Sequence, residues 1–281
     1  MNSIKYIIHV SDVHIKSYQK HDEYKEVLTN FINSIKPFLE KHRNETRILI
    51  AGDLMDSFLT ITNELEVFVA WFLRELDKIG TTIVVAGNHD LVRNNMERVD
   101  SITPFFKLID FKNTSYMDMI TDYKSGCIQD ENIVWVLYSI FDNYSRPNIE
   151  KIRAENPDKI FIGLFHGPIV GSKNEMGFSM MKGINPNIFD GCDFVCAGDI
   201  HKKQLITNRS GVKIYYPSTL IQKTFGENVN VGDDNGHGYS VITLPKFKIE
   251  HFEVENPYGF YNFKIENVDD IINNKEVLFN K

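Results

Sequence analysis

Short apolar runs alternate with longer stretches whose apolar residues recur at helical spacing. The runs at residues 4–10, 47–51, 82–86, 160–165 and 194–197 are nearly unbroken, as in Arg47-Ile48-Leu49-Ile50-Ala51. Apolar runs this short, bounded by polar residues, predict strands buried on both faces. Between them, Val27, Leu28, Phe31, Ile32, Ile35, Phe38 and Leu39 predict a helix over 22–43, with Asp22 as cap and Pro37 bending or ending it. Leu65, Phe68, Val69, Phe72, Leu73 and Leu76 predict a second helix over 63–78, stopping at Gly80. Strand, helix, strand, helix, strand implies βαβ units and a parallel sheet.

The middle is less regular. Residues 96–108 predict a helix interrupted near Pro104, 133–138 a strand and 148–154 a short helix. Strand patterns follow at 213–216, 238–244, 248–254 and 260–265. The expected fold is therefore an α/β sandwich finished by antiparallel strands.

Composition narrows the class. The chain has 281 residues, 42% hydrophobic and 25% charged, enough for one large domain or for one domain plus a small appendage. No apolar run approaches the roughly 20 residues of a membrane span, and the N-terminus lacks a signal-peptide pattern. The expected setting is intracellular: a cytoplasm or nucleoid, or the host cytoplasm for a viral protein. Cys127, Cys192 and Cys196 form no Cys-x-x-Cys pair and read as small buried hydrophobes. A net charge of −7 argues against a broad nucleic-acid-coating surface, although bound cations would reverse the sign locally.

The candidate chemistry lies where five strands end: Asp12-x-His14, Gly52-Asp53, Gly87-Asn88-His89-Asp90, His166, and Gly198-Asp199-x-His201. In open α/β sheets, ligands bind beyond the carboxyl ends of the strands, so these groups can converge on one crevice. Glycines before Asp53, Asn88 and Asp199 would allow sharp turns out of the sheet. A mixed oxygen and nitrogen set without cysteine points to a catalytic Mn²⁺, Fe²⁺ or Zn²⁺ site. Seven or eight ligands suit two ions, which at roughly 3.5–4 Å apart can clamp a phosphate and activate a nucleophile.

This ordered set resembles the calcineurin-like metallophosphoesterases, whose pattern is D-x-H, G-D, G-N-H-[DE], H, then G-H-x-H. The resemblance implies a two-layer αββα sandwich with a dinuclear centre. It implies Asp12, His14 and His201 as ligands of one ion, Asp53 as bridge, and Asn88, His166 and Asp199 as ligands of the other. His89 is implied as the group that contacts phosphate and assists the leaving group. The family usually has histidine where this chain has Asp199.

The blocks Phe165–Ser172, Ala197–Gln204 and Tyr216–Glu227, with His237-Gly238-Tyr239, resemble the SbcD type of DNA double-strand-break repair nuclease. That resemblance implies 3′→5′ exonuclease and single-strand endonuclease activity on DNA, with Mn²⁺ as the usual metal and Mg²⁺ or Fe²⁺ as alternatives. It further implies an SMC-like ATPase partner of the SbcC type and a homodimer built on the helices around Leu65–Leu76. It divides the chain into a nuclease domain, 1–255, and the start or remnant of a DNA-capping domain, 256–281. Lys173, Lys202, Lys203 and Lys223 are candidate phosphate contacts. Asp56 and Asp90 read either as supports for the ligands or as a helix cap and a turn carboxylate. The alternatives are a phosphatase or small-molecule phosphodiesterase of the same fold, and a non-catalytic scaffold for the ATPase.

Overall fold

The computed structural model describes residues 3–95, 97–224, 226–227, 229–230, 236–262 and 266–273. In chain order the strands and α-helices are β1 (Tyr6–Val10), α1 (His21–His42), β2 (Thr46–Ala51), α2 (Asn63–Ile79), β3 (Thr81–Val85), α3 (Thr103–Leu108), β4 (Thr114–Tyr116), α4 (Met117–Ile120), β5 (Gly126–Asp130), β6 (Ile133–Tyr138), α5 (Ile149–Glu155), β7 (Ile160–His166), β8 (Phe194–Gly198), β9 (Gln204–Thr207), β10 (Lys213–Tyr216), β11 (Val229–Asn230), β12 (Gly238–Thr243), β13 (Lys248–Glu253), β14 (Tyr261–Asn262) and α6 (Val268–Asn273).

Two six-stranded sheets form the body, ordered β13-β12-β1-β2-β3-β4 and β5-β6-β7-β8-β10-β9. Strands β1 to β4 run parallel, as do β6, β7, β8 and β10; antiparallel strands complete each sheet. The period-2 alternation of strand side chains then divides the apolar residues between two layers. Ile7, Leu49, Ala51, Ile83 and Val85 meet Trp135, Leu137, Ile162, Leu164 and Phe194 between the sheets. The intervening Ile8, Val10, Ile48, Ile50 and Val84 face outward, in one cluster with Leu28, Phe31, Leu65 and Phe72 of α1 and α2. Both faces of the central strands are thus covered, which is why their sequences read as unbroken apolar runs.

Hydrogen bonds pin the sheets together at the end opposite the strand-end motifs. Arg47, at the start of β2, donates to both carboxylate oxygens of Asp130 at 2.7 and 2.6 Å, and Trp135 Nε1 donates to Asp130 at 3.0 Å. The Asn132 side chain and the Ile4 backbone exchange two hydrogen bonds, of 2.6 and 3.1 Å.

Several expectations change. Pro37 lies inside α1, which continues to His42, and α1 has no side-chain cap at Asp22. The predicted helix over 96–108 shrinks to Thr103–Leu108, and Met96 lies outside the described residues. Asp100 accepts from the amides of Ile102 and Thr103 at 2.9 and 2.8 Å, and Pro104 is placed in the first turn, where its missing N–H costs least. Strand β10 runs parallel to β8, where an antiparallel finish was expected; β9, which the sequence did not reveal, supplies the antiparallel neighbour at the sheet edge.

Two residues of the segment predicted to open a capping domain, Tyr258 and Phe260, bond to the body. Tyr258 Oη donates to Glu26 at 2.5 Å, and the Gln222 amide exchanges hydrogen bonds with the backbone of Phe260 at 2.6 and 2.9 Å. Of the strand expected over 260–265, Tyr261–Asn262 form one and Phe260 precedes it; residues 263–265 and 274–281 lie outside the described residues. Among the described residues, no helix is long and apolar enough to cross a membrane.

Candidate metal centre

All eight groups singled out at the strand ends meet in one place, above the carboxyl ends of β1, β2, β3, β7 and β8. The backbone there is unusual. Asp12, His14, Asp53 and Asp199 all have positive φ, at 55°, 51°, 50° and 94°. Left-handed conformations of non-glycine residues cost energy and cluster where surrounding structure holds a functional group in place. The turns also revise how Asp12 and His14 converge. They are not an extended i, i+2 pair, because β1 stops at Val10; two left-handed residues bring His14 Nε2 to 3.8 Å from Asp12 Oδ1.

The glycines serve mainly close approach. Gly52 has φ of +92°, and a Cβ there would lie 2.0 Å from His166 Nδ1. Gly87 and Gly198 lack positive φ, so the expected turn role does not hold for them. A Cβ on Gly87 would meet Asp53 Oδ1 at 2.1 Å, and one on Gly198 the Ala51 carbonyl oxygen at 2.1 Å.

Three overlapping groups of side chains could each hold an ion: Asp12, His14 and His201; His14, Asp53 and His89; and Asp12, Asp53 and His166. Within each, the donor atoms lie within 4.8 Å of one another. His14 Nε2 and His201 Nε2 are 3.1 Å apart, and His201 Nε2 is 3.6 Å from Asp12 Oδ1. Asp53 stands between the two sides, with Oδ2 3.6 Å from His14 Nε2 and Oδ1 3.3 Å from His166 Nε2. Asn88 Oδ1 is 3.2 Å from His166 Nε2. Asp199 stands at the rim, with Oδ1 3.9 Å from the same nitrogen, while its backbone N–H donates to Asp12. His89 is half-exposed, with Nε2 4.0 Å from Asp53 Oδ2 and Nδ1 donating to the Asp56 carbonyl at 2.6 Å.

Electrostatics match a cation trap. Burial pushes the Asp12 carboxyl up, but its hydrogen bond to His201 and the neighbouring imidazoles outweigh it and hold the group below the usual carboxylate range. Burial likewise opposes ionisation of Asp53, and His166 outweighs it. Burial would strip the proton from His201; the hydrogen bonds to Asp12 and Glu227 reverse that and raise it to about 10. His166 is held well above its ordinary value in the same way, by Asp53, Asp12 and Asp199 working against burial. His14 is lowered to about 4 by burial, only partly offset by Asp53 and Asp12. Asp199 rises to about 6, mainly through burial. In the metal-free chain, protons on His166 and His201 thus stand where divalent cations would balance Asp12 and Asp53. The donor set fits two divalent ions.

The other candidates flank this centre. Lys202 and Lys203 line a pocket with His201, Ser218 and Glu227, and exposed Lys173 sits on a loop beside Gln204. Asp90 is fully buried and accepts from the amides of Gly87, Met55 and Leu54 at 2.9, 3.1 and 3.3 Å, joining the turns after β2 and β3. Asp56 caps no helix: Thr62 caps α2, and Asp56 Oδ1 is 2.7 Å from Lys223 Nζ. His21, His42 and His251 bond to backbone or side chains away from the centre, His237 meets Thr219 and the Glu227 carbonyl beside it, and His9 is buried between the sheets. Sequence reasoning gave no role to Glu227, which accepts from His201 Nδ1 at 2.8 Å. The signal was faint: one acidic residue closing the Tyr216–Glu227 block, 26 positions beyond its partner.

Comparison with known proteins agrees with this geometry. The family model for calcineurin-like phosphoesterases matches residues 5–203. An uncharacterised protein of Acanthamoeba polyphaga mimivirus is 33% identical over 271 residues, which is 93% of this chain but 19% of that protein's length. A dimetal phosphatase from Danio rerio has the same fold at TM-score 0.51 and 11% identity, covering 86% of this chain and 93% of the other. A purple acid phosphatase from yellow lupin follows at TM-score 0.50 and 13% identity, covering 86% of this chain and 50% of the other. The chain belongs to the calcineurin-like phosphoesterase family, and its enzymes' two-metal centre is the arrangement that its five strand ends can build.

Proposed function

We propose that this protein is a dinuclear phosphodiesterase that cleaves DNA, acting on ends or single strands. The observation that carries the reading is the sharing of Asp53, Asp12 and His14 among three ligand groups, which suits two adjacent ions. Asp12, His14 and His201 would hold one ion, Asn88, His166 and Asp199 the other, with Asp53 between them. Bound there, two divalent ions would supply Lewis-acid activation of water and of the scissile phosphate. The oxygen-rich second set, with Asp199 in place of histidine, favours Mn²⁺ or Mg²⁺.

The chain's own residues would do the rest. His89 is oriented by its Nδ1–H bond to the Asp56 carbonyl, leaving Nε2 at the open side to contact the phosphate and steady the leaving oxygen. The support for DNA as substrate is local. Lys16, Lys20 and Lys223 line a shallow cleft with Glu23 and Phe260, cations of the kind that contact a phosphate backbone. The blocks resembling repair nucleases also supply Lys223 and Glu227 to the margin of the centre. An SMC-like ATPase partner and a homodimer belong to the same proposal.

The test is hydrolysis of linear duplex and single-stranded DNA with Mn²⁺, alongside a phosphomonoester. Metal-dependent DNA cleavage is expected. Faster turnover of the phosphomonoester would move the protein to the phosphatases, and no turnover of either would leave a scaffold. His89→Ser is expected to retain its metal and lose roughly 10²–10⁴-fold in kcat, the range for a group acting on proton or charge transfer. Undiminished turnover would remove His89 from the mechanism.

A further inference from the structure

The four histidines of the centre differ in what holds their outward ring nitrogens. His166 Nδ1 donates to the Ala51 carbonyl at 2.7 Å, and His89 Nδ1 to the Asp56 carbonyl at 2.6 Å. Both partners are neutral backbone. His201 Nδ1 instead faces a carboxylate, Glu227 Oε1, at 2.8 Å. His14 Nδ1 also faces one, Asp56 Oδ1, at 3.6 Å, with Lys223 Nζ at 3.4 Å.

These two carboxylates are joined. The other oxygen of Glu227 accepts from the Lys223 backbone N–H at 2.8 Å, and Lys223 Nζ reaches Asp56 Oδ1 at 2.7 Å. Glu227 is buried, whereas Asp56 and Lys223 are half-buried. One loop, through Lys223 and Glu227, therefore reaches two histidines that come from opposite sheets, with a hydrogen bond to His201 after β8 and with the Lys223–Asp56 ion pair beside His14 after β1.

We propose that Glu227 and Asp56, tied by Lys223, form a carboxylate clip serving only the ion held by Asp12, His14 and His201. This rests on the two-ion reading above. A ligating imidazole must offer Nε2 unprotonated and keep its proton on Nδ1; a carboxylate on Nδ1 fixes that tautomer and raises the ligand's basicity. Glu227 is the stronger arm, because 3.6 Å is too long for a direct hydrogen bond from His14. The ion on the other side of Asp53 leans on the Ala51 carbonyl and is independent of the loop. All three clip residues are positioning residues.

The test is Mn²⁺ binding by the full chain, followed by titration calorimetry and electron paramagnetic resonance. Wild type is expected to take two ions and give an exchange-coupled signal. Glu227→Ala is expected to weaken one site by roughly 10–100-fold, the usual cost of losing such a partner, and to yield an isolated-ion signal with one ion bound. Glu227→Gln keeps the shape and an acceptor oxygen, so it is expected to lie between, and it decides the question if the alanine variant does not fold. Lys223→Met is expected to weaken the same site less. Two ions at wild-type affinity in Glu227→Ala and Glu227→Gln would overturn the clip. Equal weakening of both sites would overturn its selectivity. Fewer than two ions in wild type would instead overturn the two-ion reading itself.

Discussion

His166 and His201 carry, in the metal-free chain, protons that ions would have to displace, since neighbouring carboxylates raise both above the ordinary imidazole value. The sign follows. Protonated ligands compete with metal, so affinity rises with pH, by up to roughly tenfold per unit for each proton displaced. Calorimetry in buffers of different ionisation enthalpy should count protons released as Mn²⁺ binds at neutral pH; binding without release would contradict this charge arrangement. A second buried carboxyl acts on stability. Asp118 accepts from the Ala86 N–H at 2.9 Å and from Ser139 Oγ at 2.6 Å, just before the Gly87-Asn88-His89 turn. Burial raises it from 3.8 to about 6, so the folded state holds its proton longer and stability falls as pH rises through that window. Asp118→Asn removes the dependence. Its stability relative to wild type is expected to improve by at most about 3 kcal/mol between pH 4 and pH 7, from the size of that window. Urea denaturation at both pH values checks it, and a constant difference would refute the assignment.

The turns that leave β2, β3 and β8 bring the site together, and they tolerate little. Gly52→Ala would add a Cβ 2.0 Å from His166 Nδ1 at a φ of +92°. The expected result is a loss on the order of 1–3 kcal/mol from backbone strain alone, with weaker Mn²⁺ binding because His166 must move. Thermal unfolding and metal titration measure both; wild-type values would show that the turn can relax. Strands β1, β2, β3, β7 and β8 were legible in the sequence because burial on both faces makes each a plain apolar run. Their ends were legible because few structural roles need Asp and His there together. What escaped has physical reasons. β4 has three residues, and β5 and β9 are partly exposed edge strands with polar positions, so none forms an apolar run. Glycine spacing was visible, but whether a glycine serves φ or close approach depends on the partner across the site, as Gly87 and Asp53 show. Glu227 escaped because its partner, His201, is fixed by the packing of two sheets and by no local spacing, whereas Asp56, three residues after Asp53, was visible as a candidate support without its partner His14.

Taken together, the sandwich is a rigid frame with its chemistry at one end. Arg47–Asp130 and Ile4–Asn132 lock the sheets at one end, and the opposite end presents Asp, Asn and His groups that repel one another or hold protons until cations arrive. The negative net charge of −7 fits an enzyme whose attraction for a phosphoester would be concentrated at bound ions and nearby lysines. Everything proposed at this end of the molecule depends on two ions being held there, with Asp199 in place of a histidine. Anomalous diffraction at the manganese edge, from crystals grown with Mn²⁺, tests it most directly. Two peaks are expected roughly 3.5–4 Å apart on either side of the Asp53 carboxylate, one among Asp12, His14 and His201 and the other touching Asn88, His166 and Asp199. A single peak, or a second one that Asp199 does not touch, would contradict that arrangement.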